Sequence, residues 1–320
     1  MMSFRRFALA LVAALSIPAF AQDYPVKPIR MLVGYPPGGA VDVVARTIGQ
    51  HLSDTLKQPV IVENKPGAGT NIAVKSLVDS APDGYTLMLT ANALAANMAL
   101  YTPAPFDAEK DVTPVALVGR IPVVIAAGAS TEFKTLQDLV KAAKAKPGTI
   151  NYATPGNGST PHLAMELFMR AAGIQLTHVP YKGGAPAITD VLGGQLPLVA
   201  VNALEVAPHA KAGKLRALAL MSPSRSAVLP GAPTIAESGY PGFEASVWYG
   251  VIAPAKTPKP VVDKIHAAVQ NALASEDVKK RISDVGGEVT PGDPAQFAKL
   301  IHDERVRYEK IVREANIRAD

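Results

Sequence analysis

Short β-rich runs alternate with helix-period stretches along most of this chain, in two successive series, and that alternation fixes the class of fold open to it. In the first series residues 29–33 read as a strand and 34–39 as a loop, after which Val44, Ile48, Leu52 and Leu56 recur every four residues as one apolar helix stripe. A strand at 60–62, a turn-rich loop at 64–69, a helix at 71–80 and a strand at 86–90 follow. This β-α-β-α-β order predicts parallel strands with right-handed crossovers. The second series reads as strand 123–125, helix 135–145, strand 151–153, helix 161–172, strand 176–179, helix 187–192 and strands 198–201 and 215–220. The prediction is two α/β sheets rather than one overlong sheet. Segments 115–127 and 243–253 read as extended bridges, the first limited by Gly119 and Pro122, the second closed by Pro254, Pro258 and Pro260. A helical tail, with Ile265, Val269 and Leu273 on one stripe and Phe297, Leu300, Ile301, Tyr308, Ile311 and Val312 on another, is expected to pack back on the first lobe. Two strands crossing between two lobes make a hinge with a cleft.

The beginning of the chain bears on compartment. Arg5 and Arg6, the apolar run 7–17, Pro18 and the small residues flanking Phe20 follow the layout of a secretory signal peptide, with cleavage expected before Gln22. The run is too short to cross a hydrocarbon core, which needs about 20 residues. The expected domain plan is therefore 1–21 signal peptide, 22–120 plus 251–320 first lobe and 121–250 second lobe, in a protein soluble in the periplasm and expected to be a monomer. The chain has no cysteine, which excludes disulfides, thiolate metal sites and a lipid-tethering cysteine. Its 32 basic residues, two of them in the leader, exceed the 27 acidic ones only mildly. They form no cluster with interleaved aromatics, so no nucleic acid is expected as a partner.

Ligands of open α/β sheets bind beyond the carboxyl ends of the strands, so the loops after strands carry the candidates. In Gly34-Tyr35-Pro36-Pro37-Gly38-Gly39-Ala40-Val41-Asp42, Gly38 and Gly39 would let the backbone approach a ligand. The helix opening near Ala40 would aim its free N–H groups at an anion, with Asp42 complementing the first turn. The pattern fits neither a dinucleotide fingerprint nor a P-loop, and no cofactor is expected. Asn157-Gly158-Ser159-Thr160 before Pro161 and His162 forms a second helix start of the same kind, facing the first across the cleft. Tyr181 and Lys182 offer stacking and a cation; Ala91, Asn92 and Asn202 also stand just after strands; 64–69 reads as a structural turn. Each loop could equally be an ordinary strand-to-helix turn.

Catalysis finds little support. Ser159 is out of step with a nucleophile elbow, no His-Glu-x-x-His occurs, and the 6 histidines are scattered, so neither catalytic residues nor a metal site is expected.

Several segments together resemble the substrate-binding receptors of tripartite tricarboxylate transporters, the Bug family. They are Gly34-Tyr35-Pro36-Pro37-Gly38-Gly39 with Asp42, Val62-Glu63-Asn64-Lys65-Pro66-Gly67-Ala68-Gly69 with Asn71 and Ile72, the stretches 156–163, 179–184, 213–219 and 233–239, and Trp248-Tyr249-Gly250 with Ala253-Pro254. The resemblance spans nearly all of the chain after the leader. It implies a type II periplasmic binding protein-like fold: two doubly wound α/β lobes joined by two crossover strands. It implies a small carboxylate ligand (citrate-like acids, dicarboxylates, acidic amino acids or aromatic acids), held by backbone amides and ordered water between the two loops. It also implies two membrane permease subunits as partners. A sensor feeding a signalling pathway is the alternative use of such a cleft. The chain departs from the family where Asn202 replaces a frequent acidic residue, Val201 an aromatic, and Thr90-Ala91-Asn92 a Gly-Thr. A neutral Asn202 turns the expectation away from amino acids.

Overall fold

The computed structural model describes residues 24–318; the expected signal peptide lies outside the described residues. In chain order the first lobe begins with β1 (Ile29–Val33), α1 (Ala40–Leu56), β2 (Val60–Asn64), a 3₁₀ turn (Ala68–Thr70), α2 (Asn71–Val78), β3 (Thr86–Ala91), α3 (Ala93–Leu100) and β4 (Val112–Ile121). Next come β5 (Val123–Gly128), α4 (Leu136–Ala145), β6 (Asn151–Thr154), α5 (Thr160–Ala172), β7 (Thr177–Pro180), α6 (Gly184–Leu192), β8 (Leu198–Asn202), α7 (Ala203–Lys211) and β9 (Leu215–Leu220). The chain then returns through β10 (Val247–Pro254), α8 (Lys259–Ala274), α9 (Glu276–Asp284), β11 (Glu288–Gly292) and α10 (Pro294–Glu314).

These strands form two sheets, one of order β11-β4-β10-β3-β1-β2 and one of order β7-β6-β8-β5-β9. β1 pairs in parallel with β2 and β3, as the β-α-β-α-β order requires. β10 runs antiparallel between β3 and β4, and β5 antiparallel between β8 and β9. β4 lies in the first sheet and β5 in the second, with Pro122 alone between them, so the extended run 115–127 is a crossing. The second crossing ends where β10 begins. The whole of β10 pairs within the six-stranded sheet, so the expected boundary at 250/251 falls inside a strand.

Burial explains the layering. Ile29, Met31, Val33, Leu87 and Leu89 are solvent-free under the face covered by α1 and α8, whereas Leu32, Met88 and Ile252 face Phe297, Ile301 and Tyr308 of α10 on the other side. Each such side chain contributes about 1.5–3 kcal/mol by leaving water. Thr135 caps α4 and Asp293 caps α10, each in a reciprocal capping box. No helix among the described residues is long and apolar enough to cross a membrane.

Candidate functional site

A cavity of about 630 Å³ opens between the two sheets, its walls built from segments that follow β1, β2, β3, β6 and β7. Loops at the carboxyl ends of strands are where the topology directs a ligand, and the volume lies within the roughly 300–1,000 Å³ of small-molecule sites. Across the cavity the two walls approach closely at Gly158, where a Cβ would stand 2.9 Å from Cδ1 of Leu100.

The second-lobe wall is the 155–160 segment with Tyr181 and Lys182. Ser159 caps α5, its Oγ accepting from the His162 N–H and donating to the Gly156 carbonyl. Gly156 and Gly158 have φ of +145° and +68°, a backbone that other residues adopt only at a cost. Their amides turn inward. Gly156 N–H donates to Thr154 Oγ1 at 3.2 Å and Gly158 N–H to His162 Nδ1 at 3.1 Å. His162 is buried and stacked on His178 with ring centroids 3.8 Å apart, and His178 Nε2 lies 2.6 Å from Thr154 Oγ1. Burial, and secondarily the His178 ring, hold the His162 pKa down at about 3, so the ring is neutral, and the Gly158 N–H bond to Nδ1 assigns its remaining proton to Nε2. His162 therefore supports the loop from behind rather than lining the cavity. The Gly158 amide, expected to face a ligand, is committed to that imidazole.

The first-lobe wall differs from expectation in a parallel way. Gly34, Tyr35 and Pro36 line the cavity, whereas Gly38, Gly39 and Ala40 do not. Gly38 N–H donates to Asp42 Oδ2 at 2.9 Å, and Asp42, nearly buried, also accepts from Arg46 and Asn64. Burial alone would raise the Asp42 carboxyl, but these bonds outweigh it and hold the group below the usual carboxylate range. The positive end of α1 thus already carries an internal anion. Tyr35 is half-buried as a residue, and desolvation pushes its hydroxyl up to about 12.

The segment read as a structural turn lines the cavity instead, through Pro66, Gly67, Gly69 and then Thr70. Ala68, Gly69 and Thr70 are all left-handed, with φ of 46°, 60° and 82°. For alanine and a β-branched threonine this is strain, which clusters at functional sites. Thr70 is 5% exposed and its Oγ1 has no hydrogen-bond partner. Asn97 pins the turn, donating to the Gly69 carbonyl and to Asn71 Oδ1. Ala93, Ala96, Asn97 and Leu100 of α3, with Tyr101, complete this wall. No helical stripe announces α3, since Ala93–Leu100 is apolar nearly all round, and with it Thr70, Asn97, Leu100 and Tyr101 escaped sequence reasoning.

Ala91, Asn92 and Asn202 lie outside the cavity wall. Ala91 is buried at the end of β3. Asn92 does not reach the cleft: its Nδ2 donates to Tyr308 Oη at 2.9 Å, to Glu304 and to the Ser246 carbonyl, and its Oδ1 accepts the Trp248 N–H. That amide fastens β3 to β10 and α10. Asn202 stands at the N-cap position of α7, where its N–H and its Nδ2 donate to Glu205 Oε1, outside the cavity wall. Tyr181 lines the wall while its hydroxyl donates to Asp190. Of the 20 lining residues one carries a charge, the exposed Lys182, and none is acidic. No group of three or more metal-ligating side chains occurs among the described residues.

Comparison with known proteins agrees with this architecture. Residues 44–317 match the tripartite tricarboxylate transporter family receptor model. Protein BugT of Bordetella pertussis is 38% identical over 304 residues, covering 94% of this chain and 93% of BugT. MatC of Rhodopseudomonas palustris, solved with bound malate, is 33% identical with a TM-score of 0.73 over 90% of this chain and 100% of MatC. R. palustris Rpa4515, solved with adipate, is 32% identical with a TM-score of 0.77 over 92% of this chain and 99% of its own. The two sheets are thus the two lobes of a periplasmic-binding-protein-like fold. A match to the family's receptor model over most of its length, on the same fold, makes this chain a member of the tripartite tricarboxylate transporter receptor family, a transport receptor and not an enzyme.

Proposed function

We propose that the chain, exported to the periplasm through residues 1–21 acting as a cleaved signal peptide, captures a small carboxylate in this cleft as a monomer. It would then present the ligand to the membrane permease subunits of a tripartite transporter. The observation that carries the ligand class is the charge of the wall: one cation, Lys182, and no carboxylate. Such a wall favours an anion and offers nothing to neutralise an ammonium group. The relatives solved with malate and adipate bind acids of this kind on the same fold. Tyr35, Asn157, Gly158, Ser159, Thr160, Tyr181 and Lys182 are the expected residues that the cavity wall brings together, and they form the proposed site with Thr70. Hinge motion at the two crossings closes the lobes, and the ligand stabilises the closed form by its additional contacts there.

A ligand that binds only the folded protein raises its melting temperature by linkage. Melting curves with mono-, di- and tricarboxylates, beside their uncharged amides, test the proposal. Stabilisation by at least one acid and not by its amide is expected. Unchanged melting across the whole series removes the carboxylate reading.

A further inference from the structure

The second-lobe loop 155–160 is held from behind by side chains that lie outside the cavity wall. Its two positive-φ glycines donate their amide protons inward, Gly156 to Thr154 Oγ1 at 3.2 Å and Gly158 to His162 Nδ1 at 3.1 Å. Both acceptors lead to one residue. His178, half-buried on β7, stacks on His162 with ring centroids 3.8 Å and planes 11° apart, and its Nε2 lies 2.6 Å from Oγ1 of the solvent-free Thr154. A hydroxyl has one proton and two lone pairs. Where Nε2 accepts, the Thr154 proton goes to His178; where Nε2 donates, that proton goes to the Gly156 carbonyl at 3.3 Å. Either tautomer fixes the Thr154 hydroxyl and leaves a lone pair for the Gly156 N–H. The strand that carries His178 also leads into the Lys182 loop, which is tied to the same segment: Tyr181 N–H donates to the Thr154 carbonyl at 3.0 Å and Gly183 N–H to the Pro155 carbonyl at 2.9 Å.

Resting on the carboxylate reading above, we propose that His178 is a positioning residue for ligand capture: its bond to Thr154 and its stack on His162 hold 155–160 in the shape that receives the acid. Glycine populates many backbone conformations, so a loop with two of them keeps one shape only when something outside it sets that shape. A loop fixed beforehand loses less freedom when the ligand arrives, and the saving appears as affinity. A histidine that served packing alone would act on stability and leave affinity untouched.

Three variants separate these roles by calorimetry with malate and with adipate. His178→Phe keeps a ring to stack on His162 and removes the bond to Thr154; it should weaken binding about tenfold, the worth of one buried hydrogen bond. His178→Gln places an amide nitrogen where Nε2 stood, and should recover most of that loss. Thr154→Val should weaken binding as well, and His178→Phe added to it should cost nothing further, because the two side chains act through one bond. Wild-type affinity in His178→Phe, equal losses in the Phe and Gln variants, or losses that add in the double variant overturn the inference and leave the carboxylate reading intact. If Thr154→Val does not fold, the Phe and Gln pair decides. A second readout needs no ligand: amide hydrogen exchange at Gly156, followed by NMR, should be faster in His178→Phe and slowed again in His178→Gln. Unchanged exchange in His178→Phe overturns the inference even where neither acid binds, whereas the carboxylate reading stands or falls on the melting series alone.

Discussion

At the scale of single residues, the site depends on how protons and φ angles are held. His162 keeps Nδ1 free for the Gly158 N–H only while neutral, and its folded pKa of about 3 lies below the ordinary 6.5. Between those values the unfolded chain binds a proton that the folded chain refuses. The stability this contributes is fully present above about pH 6.5 and is lost progressively as pH falls toward 3. Urea unfolding from pH 7 to pH 4 should therefore show a falling stability that His162→Phe makes shallower; parallel curves would contradict the assignment. Gly158 and Gly173 both have left-handed φ, +68° and +62°, but a Cβ at Gly158 meets Leu100 whereas one at Gly173 meets nothing. Replacing either with alanine should cost about 1 kcal/mol of stability. Only Gly158→Ala should also weaken ligand binding, and equal binding in the two variants would remove Gly158 from the site.

At the scale of elements, the caps set helix stability independently of the cleft. Asp293 accepts from the Gln296 N–H at the start of α10 while Gln296 reaches back, so Asp293→Ala should cost about 1 kcal/mol in urea unfolding and leave ligand affinity unchanged. The elements are also where sequence and structure part company for physical reasons. α1, α4, α5, α8 and α10 carry one-sided apolar stripes and are legible from periodicity. α3 carries none, because packing between the β3–β10 region and α10 calls for apolar residues on most of its faces. The loops after β1, β6 and β7 were identified as cavity walls by the rule that ligands bind beyond strand ends. That rule cannot say which way an amide points. Asn92 obeys it in sequence, yet partners more than 150 residues away draw its side chain into the core, and Asp42 and His162 capture amides that helix geometry alone would leave free. Thr70 is invisible for the same reason: its significance lies in a φ angle and a missing partner, neither of which is written in residue type.

At the scale of the whole molecule, two lobes joined at Pro122 and just before β10 share a polar cluster at the crossings. Arg120, at the end of β4, pairs with Glu244; Arg307 of α10 pairs with Glu304 and donates to the Glu244 carbonyl at 2.8 Å; Asn92 binds the Trp248 N–H. These contacts lie outside the cavity wall but touch both crossing segments. Arg307→Met should therefore alter the open-to-closed balance, read as a changed radius of gyration in small-angle scattering and a changed ligand affinity. An unchanged balance in a folded variant would confine the cluster to a role in stability. The account as a whole stands on the cleft being the place of capture. A crystal structure of the protein grown with whichever carboxylate most raises its melting temperature tests that directly. The acid should lie between the 155–160 segment with Lys182 and the wall formed by Tyr35, Thr70 and α3. An acid bound elsewhere, with this cavity holding only water, would contradict the account.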